Sequence, residues 1–228
     1  MLGRAAIAMW WDVPPEVRGE WEDWHTHEHM PERLGIPGFL RGTRWAADSG
    51  EPSYFVLYEA RDLKTMTGGA YLDRLNNPTP WSRQMMPHHR NMVRSLCRVR
   101  AAFGGGVAQA VATIRLSPAP RKRGSLLKWL AADAMPPLPA RKGLAAAYLL
   151  ESLPADVPRT AEHQIRGMDA QADCVLLICG YDVESVRGFV ADGLGEGLGE
   201  LQAHGALPGC IAGLYRCAYS LPAKELRA

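Results

Sequence analysis

A set of residues recurs 105 positions further along the chain, and this spacing limits the fold more than any other sequence feature. Further along the chain the offset is larger, and Asp62 matches Asp182 at a distance of 120 residues. Such a repeat indicates a folding unit that occurs twice in one chain. Three consecutive glycines at 104–106 mark the boundary, so we expect domains at 1–103 and 107–222. The pairs at 105 positions are Arg18 and Arg123, Gly19 and Gly124, Trp24 and Trp129, Met30 and Met135, and Pro31 and Pro136.

Each half shows the same order of predicted elements. In the first half, strands are predicted at 4–12, 39–47, 54–58 and 92–103, with helices up to about residue 34 and at 62–75. In the second half, strands are predicted at 107–116, 143–152, 174–181 and 210–220, with helices at 123–135 and 182–202. This β-α-β-β-α-β order is typical of a ferredoxin-like unit. A sheet with helices on one face needs cover on the other, so we predict an α+β fold: two tandem ferredoxin-like units packed sheet to sheet as a pseudo-dimeric α/β barrel.

The composition argues against several classes of protein. The chain has 228 residues and a formal charge of +2, and its one basic run, at 121–123, is too short to indicate nucleic-acid binding. No apolar segment approaches the roughly 20 residues that cross a bilayer. Five cysteines without a C-x-x-C pair fit reduced thiols better than a disulfide framework, so we expect a cytoplasmic protein.

The first predicted helix carries the densest chemistry of the chain. On a wheel of about 100° per residue, Trp21 and Trp24 define an apolar stripe, and Glu28 falls in its middle. A carboxylate on an apolar face must be hydrogen-bonded, paired or protonated, and burial would raise its pKa into the range of a general acid or base. The alternative is that the helix bends and Glu28 reaches the surface, where it pairs with Arg33 or Arg44.

The histidines of this helix suggest a metal site as a second interpretation. His25 and His29 have the i, i+4 spacing that lets two imidazoles share an ion, and further ligands would come from Glu32, His88 and His89. In the second half, however, the offset of 105 places Leu130, Ala132, Asp133 and Ala134 opposite His25, His27, Glu28 and His29. The helix can therefore form without these side chains, which favours a functional role for them in the first half alone.

Aromatic residues of the first half are candidates for an apolar pocket, although such residues are also typical of a core. The substrate-binding candidates are Trp21, Trp24, Phe39, Tyr54 and Tyr58.

The run at 24–39 resembles the first-helix signature of EthD-like members of the dimeric α/β-barrel superfamily. The matching positions are Trp24, Glu28, His29, Pro31 and the Pro-Gly-Phe run at 37–39. The resemblance implies a pocket between sheet and helices. The superfamily contains cofactor-independent monooxygenases, muconolactone-type isomerases, polyketide cyclases and haem enzymes, so the fold does not decide the reaction. Most relatives are single units that pair as dimers, whereas here the barrel can close within one chain. The sequence does not decide whether two such chains also form a homodimer.

The leading hypothesis is an enzyme that transfers a proton on a small apolar, aromatic or polyketide-like metabolite. Glu28 would be the acid or base, and His25 and His29 would tune it or orient the substrate. We expect no cofactor in this case, and an isomerase, a lyase or a cofactor-independent monooxygenase would fit. One alternative is a metal- or haem-dependent oxygenase or lyase that uses the histidines. The other is a non-catalytic ligand-binding or accessory protein.

Overall fold

A computed structural model describes residues 1–50, 52–153, 159–167, 169–194 and 198–226. Its strands form one closed antiparallel barrel in the order β1-β3-β2-β8-β5-β7-β6-β4. The strands are β1 (Ala5–Asp12), β2 (Phe39–Ala47), β3 (Tyr54–Ala60), β4 (Arg90–Gly104), β5 (Ala110–Leu116), β6 (Leu144–Ser152), β7 (Cys174–Gly180) and β8 (Ile211–Pro222).

The barrel closes where the two halves of the chain meet. Strands β4, β1, β3 and β2 of the first half form one four-stranded sheet, and β8, β5, β7 and β6 form the other. The pairings β2 with β8 and β4 with β6 join the sheets, so no strand edge is left unpaired. The predicted fold class is thereby confirmed.

Helices cover the outer faces of the barrel. The α-helices are α1 (Arg18–Trp24), α2 (Met30–Leu34), α3 (Leu63–Thr67), α4 (Gly69–Asn76), α5 (Pro80–Met85), α6 (Arg123–Trp129), α7 (Ala161–Arg166), α8 (Val183–Gly188) and α9 (Gly199–Ala203). None of the helices in the described residues has the length and apolar character needed to cross a membrane.

Several elements of the second half begin and end at the predicted offset. Helices α1 and α6 are 105 residues apart at both ends, as are β2 and β6, while β3 and β7 are 120 apart. In both halves a π-helical segment follows the first helix, at His25–His29 and at Leu130–Ala134. The domain limits at 1–103 and 107–222 stay a prediction, and β4 itself runs on to Gly104.

Some predicted boundaries were wrong for identifiable reasons. The helix expected at 62–75 is interrupted by Gly68, which is extended with ψ at 163°. The stretch at 79–88 contains α5, because the Thr79 side chain caps the helix and Pro80 occupies its first position. The helix expected at 182–202 divides into α8, a π-helical segment and α9, and residues 195–197 lie outside the described part.

Three layers of apolar side chains hold the molecule together. One lies inside the barrel, where Phe55 contacts Trp10, Trp45 and Tyr215. The other two lie between each sheet and its helices, one in each half. The layer of the first half holds the side chains singled out in the sequence.

A glycine sets the distance between the first-half sheet and its helix. A Cβ atom on Gly42 would lie 2.9 Å from a ring carbon of Tyr58 and 3.0 Å from Cγ of Met30. We therefore expect Gly42→Ala to lower the free energy of unfolding by about 1–3 kcal/mol through overpacking. Urea denaturation followed by circular dichroism measures this change.

The matched control is Gly124→Ala, because nothing lies within 4 Å of a Cβ built on Gly124 in α6. This control should be neutral or slightly stabilising, since alanine favours a helix. Equal losses in both variants would contradict the close approach at Gly42.

Candidate functional site

The π-helical segment turns His25 and His29 towards the sheet. The Met30 N–H donates to the carbonyl of His25, five residues back, so this turn holds one more residue than an α-helical turn. The extra residue rotates the face of the helix, and His25 and His29 are buried while Glu28 is only half-buried. Glu28, which the helix wheel places in the apolar stripe, lies beside Trp24, whose Nε1 donates to Glu28 Oε1 at 3.2 Å.

Six rings pack together between β1, the first helix and the segment before β4. We call these six residues the aromatic cluster: Trp11, Trp21, Trp24, His25, His29 and His89. The ring of His25 stacks on Trp21 at 4.9 Å between centroids, and the ring of His29 lies 4.5 Å from Trp24. His89 lies 4.8 Å from Trp11, on the sheet side. Three imidazoles are thus interleaved with three indoles.

Hydrogen bonds assign the tautomer of His25. Arg44, on β2, donates from NH1 to His25 Nδ1 at 3.3 Å. A guanidinium only donates, so Nδ1 must carry the lone pair and Nε2 the hydrogen of the neutral ring. Nε2 then donates to the Tyr58 hydroxyl at 3.5 Å. His25 is therefore held at both ring nitrogens.

The other two histidines keep one ring nitrogen free. Trp21 Nε1 donates to His89 Nε2 at 2.8 Å, which makes that nitrogen the acceptor. Nδ1 of His89 and Nδ1 of His29 are buried and have no hydrogen-bond partner in the part of the chain that the structure describes. A buried polar atom without a partner is costly, and it is a common feature of binding and catalytic sites.

Burial keeps all three imidazoles neutral. It lowers the pKa of His25, of His29 and of His89 well below 6.5, and the positive charges of Arg44 and Arg33 lower the pKa of His25 and His29 further. Each ring therefore has a free lone pair at neutral pH but is a weaker base than an exposed imidazole.

Arg44 is a buried cation that forms no ion pair with any described residue, although the charge of Glu22 lies nearby. Its side chain is 5% exposed, and NH1 donates to the backbone oxygen of Glu22 at 3.2 Å. The guanidinium carbon lies 5.6 Å from the ring of Trp21 and 5.9 Å from that of Tyr219. The Glu22 carboxylate accepts a hydrogen bond from Tyr54 at 2.6 Å instead of pairing with Arg44. Nε of Arg44 has no partner among the described residues.

The second buried arginine is neutralised from the other half of the chain. Arg33 forms a buried ion pair with Glu162, on α7. Glu162 also accepts from Arg166 NH1 at 3.5 Å, and Arg166 pairs with Asp169 at 3.0 Å. The two buried arginines therefore differ, because the charge of Arg33 is balanced and that of Arg44 is not.

Glu28 fastens the first helix to α5. Its Oε1 accepts hydrogen bonds from Thr79 Oγ1 at 2.5 Å, Trp24 Nε1 at 3.2 Å and Ser82 Oγ at 3.4 Å. It pairs with neither Arg33 nor Arg44, the two partners considered from the sequence.

The remaining candidates divide between the site and its surroundings. Trp21, Trp24 and Tyr58 contact the histidines directly, whereas Phe39 lies one layer away against Tyr58 and Tyr71, with centroids 6.1 and 5.4 Å apart. Glu32 pairs with Arg74, and His88 is half-buried. Among the described residues no group of three His, Cys, Asp or Glu side chains could hold a metal ion.

Sequence reasoning missed the importance of Arg44, Trp11 and Glu162. An arginine at 44, between Thr43 and Trp45 in a predicted strand, was a usable signal for the first. No sequence signal marks Glu162, because it lies 129 residues from Arg33 in a connection whose path the sequence does not reveal.

The equivalent layer of the second half is aliphatic. At the offset of 105, Trp21, His25, His29, Arg33 and Arg44 correspond to Leu126, Leu130, Ala134, Leu138 and Leu149. The four leucines are buried in one apolar cluster. The same scaffold therefore packs without any of these polar groups, so the fold does not require them.

The comparisons with known proteins support the fold. No family model and no curated protein matches the chain. Its structure is similar to that of an anthrone oxidase-like protein, at 14% identity, with 98% of this chain and 94% of that chain covered and a TM-score of 0.65. It is also similar to a monooxygenase-like protein from Fusobacterium nucleatum, at 10% identity, 97% and 96% coverage and a TM-score of 0.61. A haem-binding protein from Thermus thermophilus matches at 10% identity, 95% and 92% coverage and a TM-score of 0.51.

In the described conformation the aromatic cluster covers the position that a haem would need. His29 offers the free imidazole nitrogen that an axial ligand needs. The ring of His29 is covered by Trp24 at 4.5 Å and by His25 at 5.6 Å, and His25 is already bonded to Arg44 and Tyr58. A porphyrin could enter here only by displacing the aromatic cluster.

Acidification should destabilise the protein through the three buried histidines. Their folded-state pKa values lie below the unfolded value of about 6.5, so below that pH the unfolded chain binds more protons. The free energy of unfolding should therefore be level above about pH 7 and fall below about pH 6.5, by up to about 1.4 kcal/mol per pH unit for each histidine. Urea denaturation at a series of pH values measures the slope.

His89→Gln should reduce this slope, because glutamine can still accept from Trp21 but does not titrate. The matched control is His27→Gln, which replaces an exposed ring and should leave the slope unchanged. A slope equal to that of the wild type in His89→Gln would contradict the assignment.

Proposed function

We propose that this protein is an enzyme that removes a proton from a small aromatic or polyketide-like metabolite beside the aromatic cluster, and that it is an EthD-like member of the dimeric α/β-barrel superfamily. The observation that carries the proposal is the contact between Arg44 and His25. A buried guanidinium without a carboxylate partner lies 3.3 Å from a neutral imidazole.

The charge of Arg44 favours a substrate that becomes an anion. An unpaired buried cation is costly, and an anion placed beside it recovers that cost. If the neutral substrate binds first and the anion forms in place, the attraction arises mainly in the transition state and the product anion, which is what lowers a barrier. An enolate or phenolate oxygen near Arg44 fits this requirement.

His29 is the best base in the site. Its ring is neutral and its buried Nδ1 has no partner among the described residues, so a substrate reaches this nitrogen when the aromatic cluster opens. His25 is held by Arg44 and Tyr58, so its role is to position Arg44 and the substrate. Glu28, half-buried and hydrogen-bonded to α5, would hold the helix in place rather than act as the primary base.

The name of one structural neighbour, an anthrone oxidase-like protein at 14% identity, suggests a substrate class to test. An anthrone is a carbon acid whose C10–H proton can be lost to give an aromatic 9-olate. In the proposed step, His29 Nδ1 takes that proton and the electron pair of the C–H bond delocalises onto the oxygen, which pairs with Arg44. Isomerisation or reaction with dioxygen would follow from the same anion.

Anthrone is therefore the first probe of turnover. Wild-type protein should accelerate exchange of the C10 proton with deuterium oxide, measured by proton NMR, whether or not oxidation follows. Arg44→Gln should lower the exchange rate by about 10²–10³-fold, as the loss of one anion-stabilising donor does. His29→Gln should lower it by about 10²–10⁴-fold, as the loss of a general base does.

Two variants serve as controls for this experiment. Arg216→Gln removes an exposed arginine that pairs with Asp48 far from the site and should keep the wild-type rate. Glu28→Gln should lose less than about tenfold, because its hydrogen bonds are largely kept. Full activity in Arg44→Gln would overturn the proposal, and full loss in Glu28→Gln would return the role of base to Glu28.

The absorption spectrum and metal content of the active protein test the alternative of a metal- or haem-dependent enzyme. A stoichiometric Soret band or metal ion needed for activity would contradict a reaction that uses only these side chains. Tight binding of anthrone without exchange at any pH would instead favour a non-catalytic binding protein.

A further inference from the structure

A second candidate site lies at one mouth of the barrel, separated from the aromatic cluster by the first-half sheet. A cavity of about 360 Å³ opens there between the ends of β5 and β8 and the segment at 170–173. Its volume is at the lower end for small-molecule pockets. The residues that matter for the argument are Arg115, Ser117, Asp173, Leu207 and Ile211.

Arg115 points into the end of the barrel. On β5 it lies on the same face as Val111 and Thr113, two residues apart from each other along the strand. This face points into the barrel, where Thr113 accepts a hydrogen bond from Trp10 Nε1 at 3.1 Å. The guanidinium carbon of Arg115 lies 5.2 Å from the centre of the Trp10 ring. This contact holds the guanidinium plane against an aromatic face and leaves its N–H groups free to bind a ligand.

The charge of Arg115 has no partner in the described part of the chain. The side chain is half-buried and makes neither an ion pair nor a hydrogen bond there, and burial lowers the pKa of its guanidinium. The nearby Tyr215 is buried, and its phenol is neutral because burial raises its pKa to about 12. A half-buried, unpaired guanidinium at the wall of a cavity is suited to an anion.

The wall of the cavity beside Arg115 is apolar although it faces solvent, and Ile211 is the direct strand partner of Arg115. Leu207 is 41% exposed and Ile211 is 51% exposed, which makes them two of the few large apolar side chains on the surface of the described residues. Exposed apolar side chains grouped at one concave site indicate a ligand that covers them. Asp173, which is exposed, also lines the cavity and disfavours a ligand with a second negative charge.

We propose that this barrel mouth binds a small monocarboxylate with an apolar or aromatic body. The carboxylate would pair with the guanidinium of Arg115 by two parallel hydrogen bonds, and the body would cover Leu207 and Ile211. The hydroxyl of Ser117 lines the same cavity and would donate a further hydrogen bond. The proposal does not depend on the reaction at Arg44, because Arg115 and Arg44 lie on opposite faces of the barrel wall.

Titration with 4-fluorobenzoate, followed by fluorine NMR, tests the site directly. The wild-type protein should bind this probe at least about tenfold more tightly than the neutral 4-fluorobenzamide, because only the carboxylate makes a charge-assisted pair. Arg115→Gln should weaken binding by at least about tenfold, and Arg115→Lys should fall between the two. Ile211→Ser should weaken binding while the preference for the carboxylate is kept.

Arg44→Gln is the matched control, because it removes the guanidinium that has no described ion-pair partner in the aromatic cluster region. It should leave 4-fluorobenzoate binding unchanged, and Arg115→Gln should leave proton exchange on anthrone unchanged. Circular dichroism and thermal unfolding establish that each variant is folded. Undiminished binding in Arg115→Gln, equal binding of 4-fluorobenzamide, or tighter binding of inorganic phosphate than of 4-fluorobenzoate would each overturn the proposal.

Discussion

Closure of the barrel is the constraint on which the other features depend. The two interhalf pairings, β2 with β8 and β4 with β6, bring two four-stranded sheets edge to edge and bury their shared inner face. Without either pairing, each sheet would expose an apolar face and an open edge. Because the inner faces cover one another, each outer face is left to its own helices, and the two helical layers can differ in content.

The two layers differ in chemistry on one scaffold. The second-half layer is packed with leucine, whereas the first-half layer carries neutral histidines, indoles and a buried cation at the corresponding positions. The site is nevertheless not a property of the first half alone, since α7 crosses over from the second half and places Glu162 on Arg33. This ion pair leaves Arg44 as the buried guanidinium available to a ligand.

Two neighbouring residues of β1 separate the proposed activities. Trp10 faces the barrel interior and supports Arg115, while Trp11 faces the helices and contacts His89. Because side chains alternate along a strand, Trp10 and Trp11 place the two proposed sites on opposite faces of the barrel wall.

Much of the architecture could be predicted from local patterns, because strand and helix periodicity and the spacing of 105 residues are written along the chain. The same patterns point to a candidate site in the first helix, and that assignment stays a prediction. Only the tertiary structure decided how deeply each side chain of that helix is buried: His25 and His29 are buried, whereas Glu28 is half-buried and accepts a hydrogen bond from Thr79. It also decided the charge balance of the site: the contacts of Arg44 with His25 and of Glu162 with Arg33 join residues 19 and 129 positions apart, and only the folded chain brings them together.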